Sequence, residues 1–175
     1  MEILIVGVAL VALMVFVSTK IKKSAAAAFE REVIDTKDFI LTKPEGLINP
    51  LRENSELAFE AYSKEFGKND AEEFNQMTAY LRIFSDANFK EICANAKKSI
   101  SKIISENVSE TDNKQTICLI EGMNSEKEAR FLRIWKIVHS GQRQKVYELQ
   151  ISILENYRAD YAARVSEMLE SFTVK

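Results

Sequence analysis

"ARFLRIWKIVHSGQRQKVYELQISI", residues 129–153, decides the fold. In its second half Tyr147, Leu149, Ile151 and Ile153 fall on one side of an extended chain and Glu148, Gln150 and Ser152 on the other. That period of two belongs to a strand with one face in a core. The first half is rich in Phe, Ile, Trp and Val, which fit a pleated partner. "SGQRQ" between them suits a hairpin connection, with Gly141 as the expected carrier of the positive dihedral such turns need. The fold is therefore expected to be built around an antiparallel pair.

Outward from the hairpin, Tyr157, Tyr161, Val165, Met168, Leu169 and Phe172 recur at helical spacing and predict a final helix over residues 156–171. Upstream, "TICLI" (116–120) is a short apolar run that fits a strand covered on both faces, and "SETDNK" (109–114) is expected to be a loop. Phe89, Ile92, Cys93, Ala96, Ile100, Ile103 and Ile104 make one stripe and predict the longest internal helix, residues 86–107. "TAYLRIF" (78–84) alternates as a strand. Leu57, Ala58, Ala61, Tyr62 and Phe66 predict a helix over 55–66, capped by Asn54 or Ser55 and closed by Gly67, with a second helical piece in "DAEEFNQM" (70–77). "KDFILTKPEG" (37–46) reads as a strand stopped by Pro44 and Gly46. Hairpins with interspersed helices imply an α+β class, an antiparallel sheet packed by helices in an α/β/α sandwich.

Before this unit, residues 3–17 are all apolar or glycine. As a helix they span about 22 Å, and about 28 Å once Lys20, Lys22 and Lys23 snorkel to the headgroups, close to the hydrocarbon thickness. Glu2 follows Met1 and the lysines follow the apolar run, the reverse of a cleavable signal. Residues 1–23 are therefore expected to be an uncleaved signal-anchor in the lipid bilayer. Residues 24–37 ("SAAAAFEREVIDT" and its neighbour) then form a juxtamembrane helix or linker, and 38–175 the folded unit. The positive-inside rule puts the three lysines, and the folded unit with them, on the cytoplasmic side of the inner (plasma) membrane. An extracytoplasmic, periplasmic address is the alternative.

Composition narrows the chemistry. The net charge of −2 gives no global basic field, so no nucleic-acid partner is expected. Cys93 and Cys118 lack metal-ligand spacing and lie in apolar surroundings, which favours buried free thiols; neither metal nor cofactor is expected. His139 is the single histidine and has no nucleophile motif around it, so it is expected to face water at the hairpin end, and no enzyme activity is expected. The basic group of Arg130, Arg133, Lys136, Arg143 and Lys145, with Trp135 among them, is the candidate interaction surface, against the plainer alternative of a solvated hairpin.

The Phe39-x-x-x-x-Pro44-Glu45-Gly46 stretch and the closing "YELQISILENYRADYAARVSEMLESF", with its Ser171-Phe172 end, resemble the PsbP-like family, which includes the bacterial DcrB-type proteins. Leu47 stands where the family usually has Trp. The resemblance covers nearly the whole folded unit. It implies the α/β/α sandwich and a non-enzymatic binding, assembly or accessory role in a bacterial membrane setting, with an unidentified protein partner. Many members of that family are exported, which favours the alternative address and a module that binds a small ligand.

Overall fold

The hairpin of residues 129–153 lies inside a seven-stranded antiparallel sheet in the structure, a computed structural model that describes residues 13–20, 27–50, 56–111 and 113–175. In chain order the elements are β1 (Glu32–Asp35), β2 (Phe39–Lys43), β3 (Leu47–Ile48), β4 (Phe59–Ser63), β5 (Met77–Ser85) and α1 (Phe89–Lys98). Then come β6 (Lys102–Glu110), β7 (Gln115–Glu126), β8 (Ala129–Ser140), β9 (Lys145–Leu154), α2 (Arg158–Ser171) and β10 (Thr173–Val174). Single 3-10 turns lie at Asn69–Ala71 and Glu155–Tyr157. The large sheet has the order β3-β4-β5-β9-β8-β7-β6, and β1-β2-β10 form a small sheet.

One face of the large sheet carries the main apolar core. Met77, Ala79 and Leu81 of β5, Leu149, Ile151 and Ile153 of β9, and Leu132, Ile134 and Val138 of β8 pack there against Tyr161, Val165 and Met168 of α2. Phe39 and Leu41 of the small sheet join the same cluster, with Phe172 and Val174. Each fully buried Leu or Ile contributes about 1.5–3 kcal/mol. The opposite face is covered at one end by α1, where Cys93 and Ala96 meet Cys118, Ile120, Trp135, Ile137 and Val146. Together these layers give the expected α/β/α arrangement.

The strands at 39–43 and 77–85, the β8–β9 hairpin and the final helix agree with expectation. Four segments differ. The predicted helix over 55–66 is β4: Phe59, Ala61 and Ser63 are buried in alternation, and pairing with β5 overrides a stripe that also fits helical spacing. "DAEEFNQM" holds only the short turn at Asn69–Ala71. The long helix ends at Lys98, where the Ser99 amide donates to Ala96 and Asn95 oxygens; Ser101 then joins the sheet through Met123 and the chain continues as β6. β6 runs on through Ser109 and Glu110 into "SETDNK" and β7 starts directly after it at Gln115, with Lys114 at φ 57° between them, and "TICLI" lies in the first half of a twelve-residue strand. In the β8–β9 turn Gln144, at φ 52°, takes the positive dihedral expected of Gly141.

Within residues 24–37, Glu32–Asp35 is strand β1, paired with β2, rather than juxtamembrane helix. Residues 13–20 are helical with Leu13, Met14, Val15, Phe16 and Val17 exposed. Among the described residues no helix is long and apolar enough to cross a membrane. Most of the expected anchor, residues 1–12 and 21–23, with Lys22 and Lys23, lies outside the described residues.

Candidate binding groove

The α1 face of the large sheet differs from the apolar face because β9 is a central strand whose polar row points into a covered space. Cross-strand pairing aligns Tyr80 with Gln150 and Trp135, Arg82 with Glu148 and Ile137, and Thr78 with Ser152 and Arg133. Side chains at these positions share one face. α1 closes one end of the row. At the other end Phe74 packs edge-on against Phe131, 5.1 Å between centroids, over Ala129 and Leu154. Between these ends runs a groove with a charged floor.

Beside α1 the groove deepens into a cavity of about 300 Å³, lined by Arg82, Phe84, Trp135, Glu148 and Gln150 from the sheet and by Asn95, among others, from the helix. The Trp135 indole N–H donates to Gln150 Oε1 at 3.1 Å, which fixes the amide's orientation. Arg82 donates to Glu148 Oε2 at 3.4 Å and stacks over the Tyr80 ring at 4.8 Å. Burial holds the Glu148 carboxyl above the usual range, and Arg82 offsets only part of that. Burial likewise raises the Tyr80 phenol, opposed by the charges of Arg82 and Arg133. Arg133 reaches Glu126 at 3.2 Å, while its Nε is buried without a hydrogen-bond partner among the described residues. The floor thus presents two guanidinium groups, a buried carboxyl and an amide. It is equipped to hold polar groups through hydrogen bonds.

The six hairpin residues singled out from sequence occupy four places. Arg133 and Trp135 belong to the groove. Lys136 points to the opposite face, where Nζ donates to the Leu169 and Phe172 carbonyls at 2.6 and 2.8 Å and caps the end of α2; burial lowers its pKa. Arg143 and Lys145 both pair with Asp38, the latter at 3.5 Å, clasping the hairpin turn to the start of β2. Arg130 is exposed, 3.7 Å from Glu155. His139 is half-buried against the Phe89 ring, 5.9 Å away, rather than facing water. Sequence reasoning missed Tyr80, Arg82, Glu148 and Gln150. Their signal was the alternation of β5 and β9 itself, which marks a polar row without saying that the row is enclosed.

Cys93 and Cys118 are free and buried together under α1. Burial, then the neighbouring Cys118, pushes the Cys93 thiol up to about 12. Among the described residues no group of His, Cys, Asp and Glu is arranged to hold a metal ion.

The two edges of the large sheet are unequal. β3 is two residues long, whereas β6 is a nine-residue outer strand with every residue exposed, among them Ile103, Ile104 and Val108.

Layers, strand order and helices define a protein of the PsbP-like and Mog1-like α+β fold. No protein-family model and no curated protein matches the sequence. Among solved structures the chain is similar to the Ran-binding protein Mog1p of Saccharomyces cerevisiae, at 11% identity and a TM-score of 0.54, over 83% of this chain and 96% of that one. It is similar to LpqN, involved in cell envelope biogenesis of Mycobacterium tuberculosis, at 13% identity and a TM-score of 0.55, over 83% and 91% of the two chains. Cyanobacterial PsbP (CyanoP) of Synechocystis is similar at 12% identity and a TM-score of 0.52, over 84% and 94%. The shared property is the fold.

Proposed function

We propose that the chain is a non-catalytic accessory module, tethered by residues 1–23 to the inner (plasma) membrane of a bacterium, that binds a protein partner of a membrane-associated assembly. The folded unit faces the cytoplasm, on the side of Lys20, Lys22 and Lys23. Tethering confines its encounters to a layer near the bilayer and raises the effective concentration of a partner there.

The observation that carries the binding role is the groove floor. A buried donor without an acceptor, such as Arg133 Nε, costs about 1–3 kcal/mol. That atom is enclosed, so a carboxylate or carbonyl oxygen from a partner meets instead the accessible guanidinium of Arg82 at the cavity mouth. Mog1p, a Ran-binding protein of the same fold, supports protein binding as a use of this architecture.

Arg82→Glu with Arg133→Glu, in the full chain purified in mild detergent, is expected to abolish co-purification of the partner, with Arg130→Glu as the control that retains it. Unchanged recovery with the double variant would remove the groove from the role. Fusions after Lys175 to a fluorescent protein and to a periplasm-dependent phosphatase test the address.

The cavity beside α1 favours a second use, a small ligand held by Gln150, Arg82 and Glu148 on the extracytoplasmic side. Phosphatase activity of the fusion, together with a stoichiometric ligand released on denaturation, selects it.

A further inference from the structure

We propose that two copies of this chain pair antiparallel through β6, about a two-fold axis at Asn107, so that their large sheets become one. An exposed edge of this length is normally blunted by proline, a short strand or a covering loop. β6 has no proline, is nine residues long, and exposes three branched aliphatic side chains.

The direction of its free hydrogen-bonding groups is fixed by the turn to β7. The Thr111 amide donates to the Gln115 carbonyl, so Thr111 and Gln115 are a hydrogen-bonded pair. Such pairs alternate along an antiparallel ladder. With Ser109 opposite Ile117, Asn107 opposite Leu119 and Ser105 opposite Glu121, these residues bond to β7. The N–H and C=O groups of Glu106, Val108 and Glu110 therefore point away from the sheet. A second β6 can bond to them only in registers that set these outward residues opposite outward residues.

Side chains choose among the registers. An axis at Glu106 sets that carboxylate opposite itself, and an axis at Val108 sets Glu106 opposite Glu110 twice; like charges directly opposite oppose pairing. An axis at Asn107 avoids both. The segment Ser105-Glu106-Asn107-Val108-Ser109 is symmetric about Asn107 on one face, so Ser105 meets Ser109 of the second copy and Asn107 meets its own counterpart. On the α1 face Glu106 lies opposite Val108 of the second copy. Each Glu106 is held at 2.9 Å by its own Lys97, so the two ion pairs meet across the axis with alternating sign. This complementarity of small polar groups and charges with themselves identifies the occupant as a second copy.

In this register Asn107 and its counterpart are a non-hydrogen-bonded pair with Cα atoms about 4.5 Å apart, within disulfide range. The test is oxidative cross-linking of the full chain in mild detergent. Asn107→Cys is expected to give about tenfold more disulfide dimer than Glu106→Cys, whose counterpart sits diagonally. Ser105→Cys mixed with Ser109→Cys chains is expected to cross-link where either alone does not. Val108→Pro removes an outward N–H and no bond to β7, so it is expected to leave the circular dichroism spectrum intact and the protein monomeric by light scattering. Equal cross-linking at 106 and 107, a Val108→Pro dimer, cross-linking of Asn107→Cys to a different protein, or a wild-type monomer at about 100 µM would each overturn the proposal.

Discussion

The two faces of the large sheet are made by the same strands and behave as different materials. Residues facing α2 interlock with the small sheet as one continuous apolar core. Residues facing α1 include a small apolar patch around Trp135 and Cys118, then give way to Tyr80, Arg82, Arg133, Glu148 and Gln150. β9 supplies both, Ile151 to one face and Gln150 to the other, so the difference comes from alternation and not from separate elements. The lesson is that packing and polar chemistry are divided between faces: one holds the fold and the other leaves polar groups available.

Substitutions can break that division or sharpen it. The largest effect is expected at the apolar face, where Ile151→Ala should lower the unfolding free energy by about 2–5 kcal/mol in chemical denaturation. A smaller loss at the α1 end would come from Gly122→Ala, because a Cβ there would stand 2.3 Å from Ile100 Cγ2 and 2.9 Å from the Lys102 carbonyl; overpacking of this kind costs about 1–3 kcal/mol. Asn88→Ala removes the side-chain oxygen that accepts from the Lys90 amide at the start of α1, about 1 kcal/mol by thermal unfolding.

Glu148→Gln should go the other way. The folded-state pKa of Glu148 lies above its unfolded value, so in the window between the two the folded protein binds more protons and stability falls as pH rises. The variant is therefore expected to be slightly more stable than wild type near pH 7 and equal to it in acid, where both side chains are neutral. A loss at pH 7 would show that the Arg82 pair outweighs desolvation. The smallest structural change, thiol labelling, reports on α1 alone: neither cysteine should react with an aromatic disulfide reagent in the folded protein, and both should in denaturant.

Sequence made the deeply buried elements legible and failed where burial is shallow or doubly consistent. β9 and α2 show clean periods of two and of about three and a half because each turns one apolar row to the core, although the polar row of β9 is covered as well. β6 buries no residue, so it carries no alternation to read, and its isoleucines extended the stripe of α1 past the Ser99 break. β4 is five residues long, and its neighbours fit a helical stripe as well as its own residues fit a strand. The groove was half legible. Arg133 and Trp135 were singled out as part of a basic hairpin, but grouping by proximity in sequence joined them to Lys136, which faces the other way, and to Arg143 and Lys145, which are committed to Asp38.

The small sheet imposes an order in time on biosynthesis. β2 lies between β1 and β10, and the Thr42 amide donates to the Ser171 hydroxyl, 129 residues further along the chain. At typical ribosomal speeds the first two strands wait roughly ten seconds for their third. Through that interval Phe39 and Leu41, later sealed by Phe172 and Val174, stand uncovered while the rest of the chain is made. A nascent chain of this protein therefore leaves Phe39 and Leu41 without their final covering until the last helix and strand arrive.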